Sequence, residues 1–149
     1  MKILVIDGQG GGIGKSMISQ LKARLPDCRI VAVGTNSIAA SVMKKAGADI
    51  VATGENAVKV NARTADIITG PVGIIAADAL YGEISGEMAN AVARSDADKV
   101  LVPFNNCGIF IAGIPAGSPA ELLAAGVEKI VEIVNSATKN EKNTNFSEK

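Results

Sequence analysis

Ten residues near the start, Asp7-Gly-Gln-Gly-Gly-Gly-Ile-Gly-Lys-Ser16, are the part of this sequence best suited to chemistry. Five of them are glycine: Gly8, Gly10, Gly11, Gly12 and Gly14. An apolar run, Ile3–Ile6, precedes them, and a helix-like stretch from Ile13 to Leu25 follows. Strand, glycine loop and helix in that order present bare backbone N–H groups at a helix N-terminus. Unpaired donors and the helix dipole there favour an anion, usually phosphate. Glycine suits the loop because a Cβ obstructs positive φ and the close approach of a ligand. The same glycines also suit a tight strand-to-helix turn that holds nothing.

Spacing narrows the chemistry. The dinucleotide pattern G-x-G-x-x-G fails: from Gly8 it needs glycine where Ile13 stands, and from Gly10 where Lys15 stands. The looser G-x-x-x-G-x-G fits Gly8, Gly12 and Gly14 and resembles the cofactor loop of short-chain dehydrogenases. Gly14-Lys15-Ser16 matches the end of a P-loop, but the first glycine of that pattern falls on Gln9. An anion-binding loop is therefore indicated more clearly than its ligand, dinucleotide or triphosphate.

The other candidates follow the remaining predicted strands. They are Gly34-Thr35-Asn36, Gly54-Glu55-Asn56, Gly70-Pro71-Val72-Gly73 and Asn105-Asn106-Cys107. Such segments converge on one crevice in a doubly wound sheet, where glycine admits a ligand and Asn or Thr offers neutral hydrogen bonds. Singly, each is equally a turn. An acid after the second strand would bind a ribose 2′-OH and an Arg a 2′-phosphate. Thr35 and Asn36 favour neither NAD nor NADP. Glu55 suits a general base or a ribose ligand, and equally a solvated loop acid. Asp7 suits Mg²⁺, or more commonly a clamp on loop N–H groups. Cys107 has no histidine to activate it, so an inert thiol is expected.

Composition bounds these readings. The 149 residues suit one domain, and a hydrophobic fraction of 48% supplies an ample core. Fifteen basic and fifteen acidic residues balance, and three Phe, one Tyr and no Trp leave little for base stacking, so nucleic-acid binding is not expected. There is no histidine, which removes the commonest general base and metal ligand. Two cysteines, Cys28 and Cys107, make no zinc set and fall at opposite ends of a parallel sheet, too far apart for a disulfide. Apolar runs are too short to cross a membrane, and a soluble cytoplasmic protein is the simplest reading.

The elements that position these residues alternate. Strands are expected at Lys2–Ile6, Arg29–Val33, Asp49–Thr53, Asp66–Thr69 and Lys99–Pro103. Helices are expected at Ile13–Leu25, Ile38–Lys45 with Ser37 as cap, Ala57–Arg63, a turn or two in Ile74–Leu80, Glu87–Arg94 capped by Ser85, and Ser118 to Ser136 with Glu121 completing a capping box. A sixth strand is expected at Ile109–Ile114, at an edge, where a short connection leaves an antiparallel orientation open. Residues 1–136 form one domain in this reading, and the polar Ala137–Lys149 a disordered tail. The alternation predicts a three-layer, doubly wound α/β domain with a mostly parallel sheet in the order 3-2-1-4-5.

The stretches Ile6–Lys15, Gly34-Thr-Asn36, Lys45-Ala-Gly-Ala48, Ala52–Ala57 and Gly70-Pro71 together resemble a family of small bacterial proteins known as a domain of unknown function. The resemblance covers roughly residues 1–135. It implies a Rossmann-like fold and carries no activity or residue role with it.

Three functions compete. In the first, the chain binds a nucleotide-like small molecule, NAD(P) or another nucleotide, with its phosphate on Gly10–Gly14. Thr35 and Asn36 would then meet a ribose or adenine, and Glu55, Asn56, Asn105 and Asn106 the far side. A short-chain reductase is disfavoured, since Tyr81 is followed four residues later by Ser85 rather than lysine. The second is a non-catalytic module, a homodimer joined through an edge at Ile109–Ile111 with an empty loop. The third is a divergent P-loop NTPase using Lys15 and Ser16, for which no second acid follows Thr69 or Pro103.

Overall fold

The computed structural model of the chain describes residues 1–104, 109–114 and 117–146. Five strands, β1 (Lys2–Asp7), β2 (Arg29–Gly34), β3 (Ile50–Thr53), β4 (Ile67–Pro71) and β5 (Asp98–Val102), form one sheet in the order β3-β2-β1-β4-β5. All four pairings are parallel. The helices are α1 (Gly12–Arg24), α2 (Ser37–Lys45), α3 (Glu55–Ala62), α4 (Gly86–Arg94) and α5 (Pro119–Phe146), with a 3₁₀ turn at Val72–Ile75.

The central strand shows why the chain takes this form. Ile3 and Val5 point into one core, Leu4 and Ile6 into another, and all four are fully buried. A strand covered on both faces must be apolar throughout, as this one is. The first core packs beneath α1, α2 and α5, through Met17, Ile18, Leu21, Met43, Val127 and Ile130. The second packs beneath α3, the 3₁₀ turn and α4, through Val58, Ile74, Met88 and Val92. Helices on both faces of a parallel sheet make the fold a doubly wound, Rossmann-like α/β architecture. The order reverses between β1 and β4, which puts the glycine loop at the switch point.

Several local expectations differ from the structure. Asn36, not Ser37, caps α2: its side chain accepts the Ala39 N–H at 2.8 Å. Ser118 and Glu121 do form the expected capping box at α5, with Ser118 N–H donating to Glu121 at 2.7 Å and Glu121 N–H to Ser118 Oγ at 3.3 Å. Residues 109–114 are not a strand; they end in a turn with Gly113 at φ +84°, and Phe110 and Ile111 are exposed. A short apolar run without a sheet face to cover carries no strand signal of its own. The helical turns expected over Ile74–Leu80 are instead the 3₁₀ turn and an irregular segment. Helix α5 passes Ser136 and reaches Phe146, because no Gly or Pro lies between Val127 and Phe146 to stop it. The boundary expected at 136 therefore falls inside a helix.

Candidate functional site

The strand end that launches the loop is acidic and buried. Asp7 closes β1 and is only 3% exposed. Its carboxylate accepts the Gly8 N–H at 2.8 Å and the Gly14 N–H at 2.7 Å. It thus reaches across the loop and ties the first turn of α1 to the strand. Burial pushes its pKa above the ordinary aspartate value, against the pull of the Gly14, Gly8 and Ile13 N–H groups, and the nearby Glu83 charge adds to the rise. Of the two roles open to Asp7, the backbone clamp is the one the geometry shows. That clamp already fills much of the anion-binding capacity of the α1 N-terminus.

The glycines of the loop divide accordingly. Gly11 takes a left-handed conformation, φ +69°, and a Cβ there would lie 2.8 Å from the Ala39 backbone of α2. Gly14 is buried against Met43 and the Asp7 side chain. Gly10 and Gly12 are exposed, and a Cβ on either would meet nothing within 4 Å. Among the described residues neither of their N–H groups has a hydrogen-bond acceptor. Gly11 N–H is taken by the Gly8 carbonyl at 2.9 Å. Gly12, Ile13 and Ser16 line a cleft of about 370 Å³ completed by Phe104, Pro119 and Leu123.

Across the loop sits a carboxylate that the sequence patterns do not mark. Glu83 accepts the Gln9 N–H at 2.9 Å, the Asn36 side-chain amide at 3.0 Å and the Thr35 hydroxyl, all on one oxygen. Its other oxygen accepts the Gln9 side-chain amide. Asn36 also donates to the Gln9 carbonyl at 3.0 Å, so β2 and the glycine loop share one network. Desolvation is the largest single influence on Glu83 and raises its pKa. The bonds from Thr35, Gln9 and Asn36 together outweigh it and hold the carboxyl below the ordinary glutamate value. Gly8 makes the room: a Cβ there would come within 2.8 Å of the carboxylate.

Glu83 belongs to an irregular segment joining the 3₁₀ turn to α4. Asp78, Leu80 and Tyr81 all have positive φ, at 64°, 54° and 57°, as does Gln9 in the loop at 51°. Such conformations in non-glycine residues cost free energy and persist only when their surroundings impose them. The segment's own turn bonds provide the constraint, among them Asp78 N–H to the Ile84 carbonyl at 2.8 Å and Gly82 N–H to the Asp78 carbonyl at 3.0 Å, together with the bonds of Glu83 and that from Gln9 Nε2 to the Leu80 carbonyl, 3.1 Å. Tyr81 stands 94% exposed. The only sequence signal for this site is the gap itself: Tyr81-Gly82-Glu83 lies between two helical stretches without fitting either.

The structure thus brings Gly8, Gln9, Thr35 and Asn36 together, with Gly10, Gly11, Gly12, Ile13 and Gly14 alongside. It places Glu55 and Asn56 elsewhere. Glu55 opens α3, accepts the Ser85 hydroxyl at 2.6 Å and lies 4.0 Å from Lys59. Asn56 is exposed on the same helix. Among the described residues neither bonds to the loop, so the acid that joins the crevice is Glu83 and not Glu55. Gly70 is buried, and its missing Cβ lets the Ile6 carbonyl pack directly on β4. Asn105, Asn106 and Cys107 lie outside the described residues. Lys15 and Ser16 are exposed on α1, and the centre of the loop they would serve in a P-loop is held by Asp7. Among the described residues no group of His, Cys, Asp and Glu has the arrangement to hold a metal, and no helix is long and apolar enough to cross a membrane.

No curated protein matches the chain. Among solved structures it is similar to a dodecameric FMN-dependent UbiX-like decarboxylase from Escherichia coli O157:H7, at 14% sequence identity and a TM-score of 0.45, over 91% of this chain and 95% of that one. A family model matches residues 2–139, and the chain belongs to that family, described as Domain of unknown function (DUF3842).

Proposed function

We propose that the protein binds a nucleotide-like small molecule in the crevice outside the carboxyl ends of β1 and β2. One observation carries the reading: the Gly10 and Gly12 N–H groups lack acceptors among the described residues, and both glycines are exposed at a helix N-terminus. A phosphate there takes both donors. Gln9, Thr35, Asn36 and Glu83 form a polar group at the same loop, and Gly12 also lines the cleft floored by Ile13, Phe104 and Leu123. A cleft of that size with an apolar floor and a few convergent polar groups suits a small ligand.

The test is thermal unfolding against NAD, NADP, ATP, GTP, their diphosphates, FMN and a phosphate control, with and without Mg²⁺. A ligand at 100 times its dissociation constant stabilises the native state by about 2.7 kcal/mol, a shift of several degrees. A selective shift that vanishes in Gly12→Val supports the assignment. A variant that binds normally removes it.

A second reading, self-association without a ligand, draws on a different surface. The edge strand β5 and α5 enclose an apolar cleft of about 560 Å³, lined by Val100, Leu101, Ile114 and Leu122. Phe110, 83% exposed, lies in the neighbouring segment. Sedimentation that shows a monomer at all accessible concentrations would remove this reading.

A further inference from the structure

Glu83 is bonded as an anion is bonded in a receptor. Three donors meet on one of its oxygens: a main-chain N–H, a hydroxyl and an amide, from two different strand ends. The fourth donor, Gln9 Nε2, meets the other oxygen. Four donors fill the acceptor capacity of a carboxylate, and the segment carrying Glu83 holds three non-glycine residues at positive φ. That conformation is an energetic cost, offset by turn bonds within residues 78–84 together with the Glu83 bonds. The two observations are separate: one concerns the donors, the other the backbone that delivers the acceptor.

We propose that Gln9, Thr35 and Asn36 form an anion site of which Glu83 is the resident occupant, and that the phosphoryl or carboxylate group of a ligand exchanges with it. The proposal deepens the nucleotide reading and rests on it only for the crevice being a ligand site. Exchange is required rather than addition. The Gln9, Thr35 and Asn36 donors that would meet an outside anion are already taken by Glu83. Departure of Glu83 frees the Gln9 N–H, the Thr35 hydroxyl and the Asn36 amide hydrogen that meet on its one oxygen. The segment bearing exposed Tyr81 then swings away from the loop. Bound, Glu83 is a competitor at high effective concentration, and apparent affinity for an outside anion falls by the fraction of time the site is free.

Inorganic phosphate is the probe, read by calorimetric titration and by ³¹P line broadening on the full chain. Glu83→Ala is expected to bind phosphate at least tenfold more tightly than the unmodified protein. Adding Thr35→Val, which deletes one donor, is expected to reverse most of that gain. Glu83→Gln keeps the side-chain size while removing the charge, and is expected to tighten binding in the same direction; it serves where Glu83→Ala does not fold. Equal phosphate affinity in the unmodified and Glu83 variants overturns the proposal. So does the absence of binding in all of them, or a gain that survives Thr35→Val. The two readings fail separately. A flat nucleotide panel with tightened phosphate binding removes the nucleotide and keeps the anion site. A nucleotide shift without tightening removes the anion site alone.

Discussion

The glycine loop has an inner half and an outer half, and they are built on opposite principles. Inside, Gly8, Gly11 and Gly14 are small because protein occupies the space: the Glu83 carboxylate, the α2 backbone and Met43 respectively. The Asp7 carboxylate takes the Gly8 and Gly14 N–H groups, and the Gly8 carbonyl takes that of Gly11. Outside, Gly10 and Gly12 leave space that nothing in the described structure fills. A run of glycines that reads as one feature is therefore two. The inner set builds a junction between β1, α1 and α2, while the outer set leaves backbone available to a ligand. The two carboxylates differ in the same way. Asp7 is sealed in, whereas Glu83 is half-buried on a segment of strained backbone.

Substitution should separate the halves sharply. Gly11→Ala is expected to be the most damaging, because it adds left-handed strain to a Cβ 2.8 Å from α2 backbone that cannot move aside. Strain of about 1–2 kcal/mol and overpacking of about 1–3 kcal/mol add there, and a fall in the urea midpoint measures the loss. Asp7→Asn comes next. An amide has one acceptor oxygen, so either Gly8 or Gly14 N–H is left facing an NH₂ group. A buried unpaired donor costs about 1–3 kcal/mol.

The pH dependence of these stabilities sharpens the contrast between the carboxylates. Asp7 has a raised folded pKa, so its ionisation weakens the fold, and stability is recovered as pH falls through that raised pKa towards the unfolded value near about 3.9. Glu83 has a depressed folded pKa. Its contribution is present above the unfolded value near about 4.3 and is lost as pH falls through the depressed one. Denaturation from pH 7 down to pH 3 should show the penalty of Asp7→Asn growing on acidification while that of Glu83→Gln shrinks. Parallel trends would mean that the two sites are not electrostatically distinct.

The smallest effect belongs to the outer glycines. Gly10→Ala and Gly12→Ala meet no atoms, and neither residue has a φ that alanine resists. Both are expected to be neutral or to stabilise by about 0.4–1 kcal/mol, through the unfolded chain. A loss above 1 kcal/mol in either would erase the division between the halves.

Much of the fold was legible in the chain. The unbroken apolar runs of β1, β2 and β4, the helical spacing of Met17, Ile18 and Leu21, and the Ser118–Glu121 cap are short-range patterns that report short-range structure. The alternation of elements then restricts the topology, because a right-handed crossover allows few alternatives. Less of the site was legible. Thr35 and Asn36 were marked by their place after a strand, and both join the loop. Glu55 was marked by the same rule and instead takes up Ser85 at the start of the neighbouring helix. The rule identifies a strand end but not which loops fold back over it. Ile109–Ile114 misled because an apolar run has no visible partner in one dimension.

By itself, then, the sequence determined a strand, a glycine loop and a helix, and placed them in a parallel sheet, since periodicity and composition act over a few residues. It could not determine which donors of that loop remain open. That depends on Glu83 meeting Gln9 from 74 residues away, and on Asp7 reaching over the loop to Gly14. Only the folded chain brings an acceptor to a donor across that distance. Each hydrogen bond made inside the protein removes one that a ligand can make.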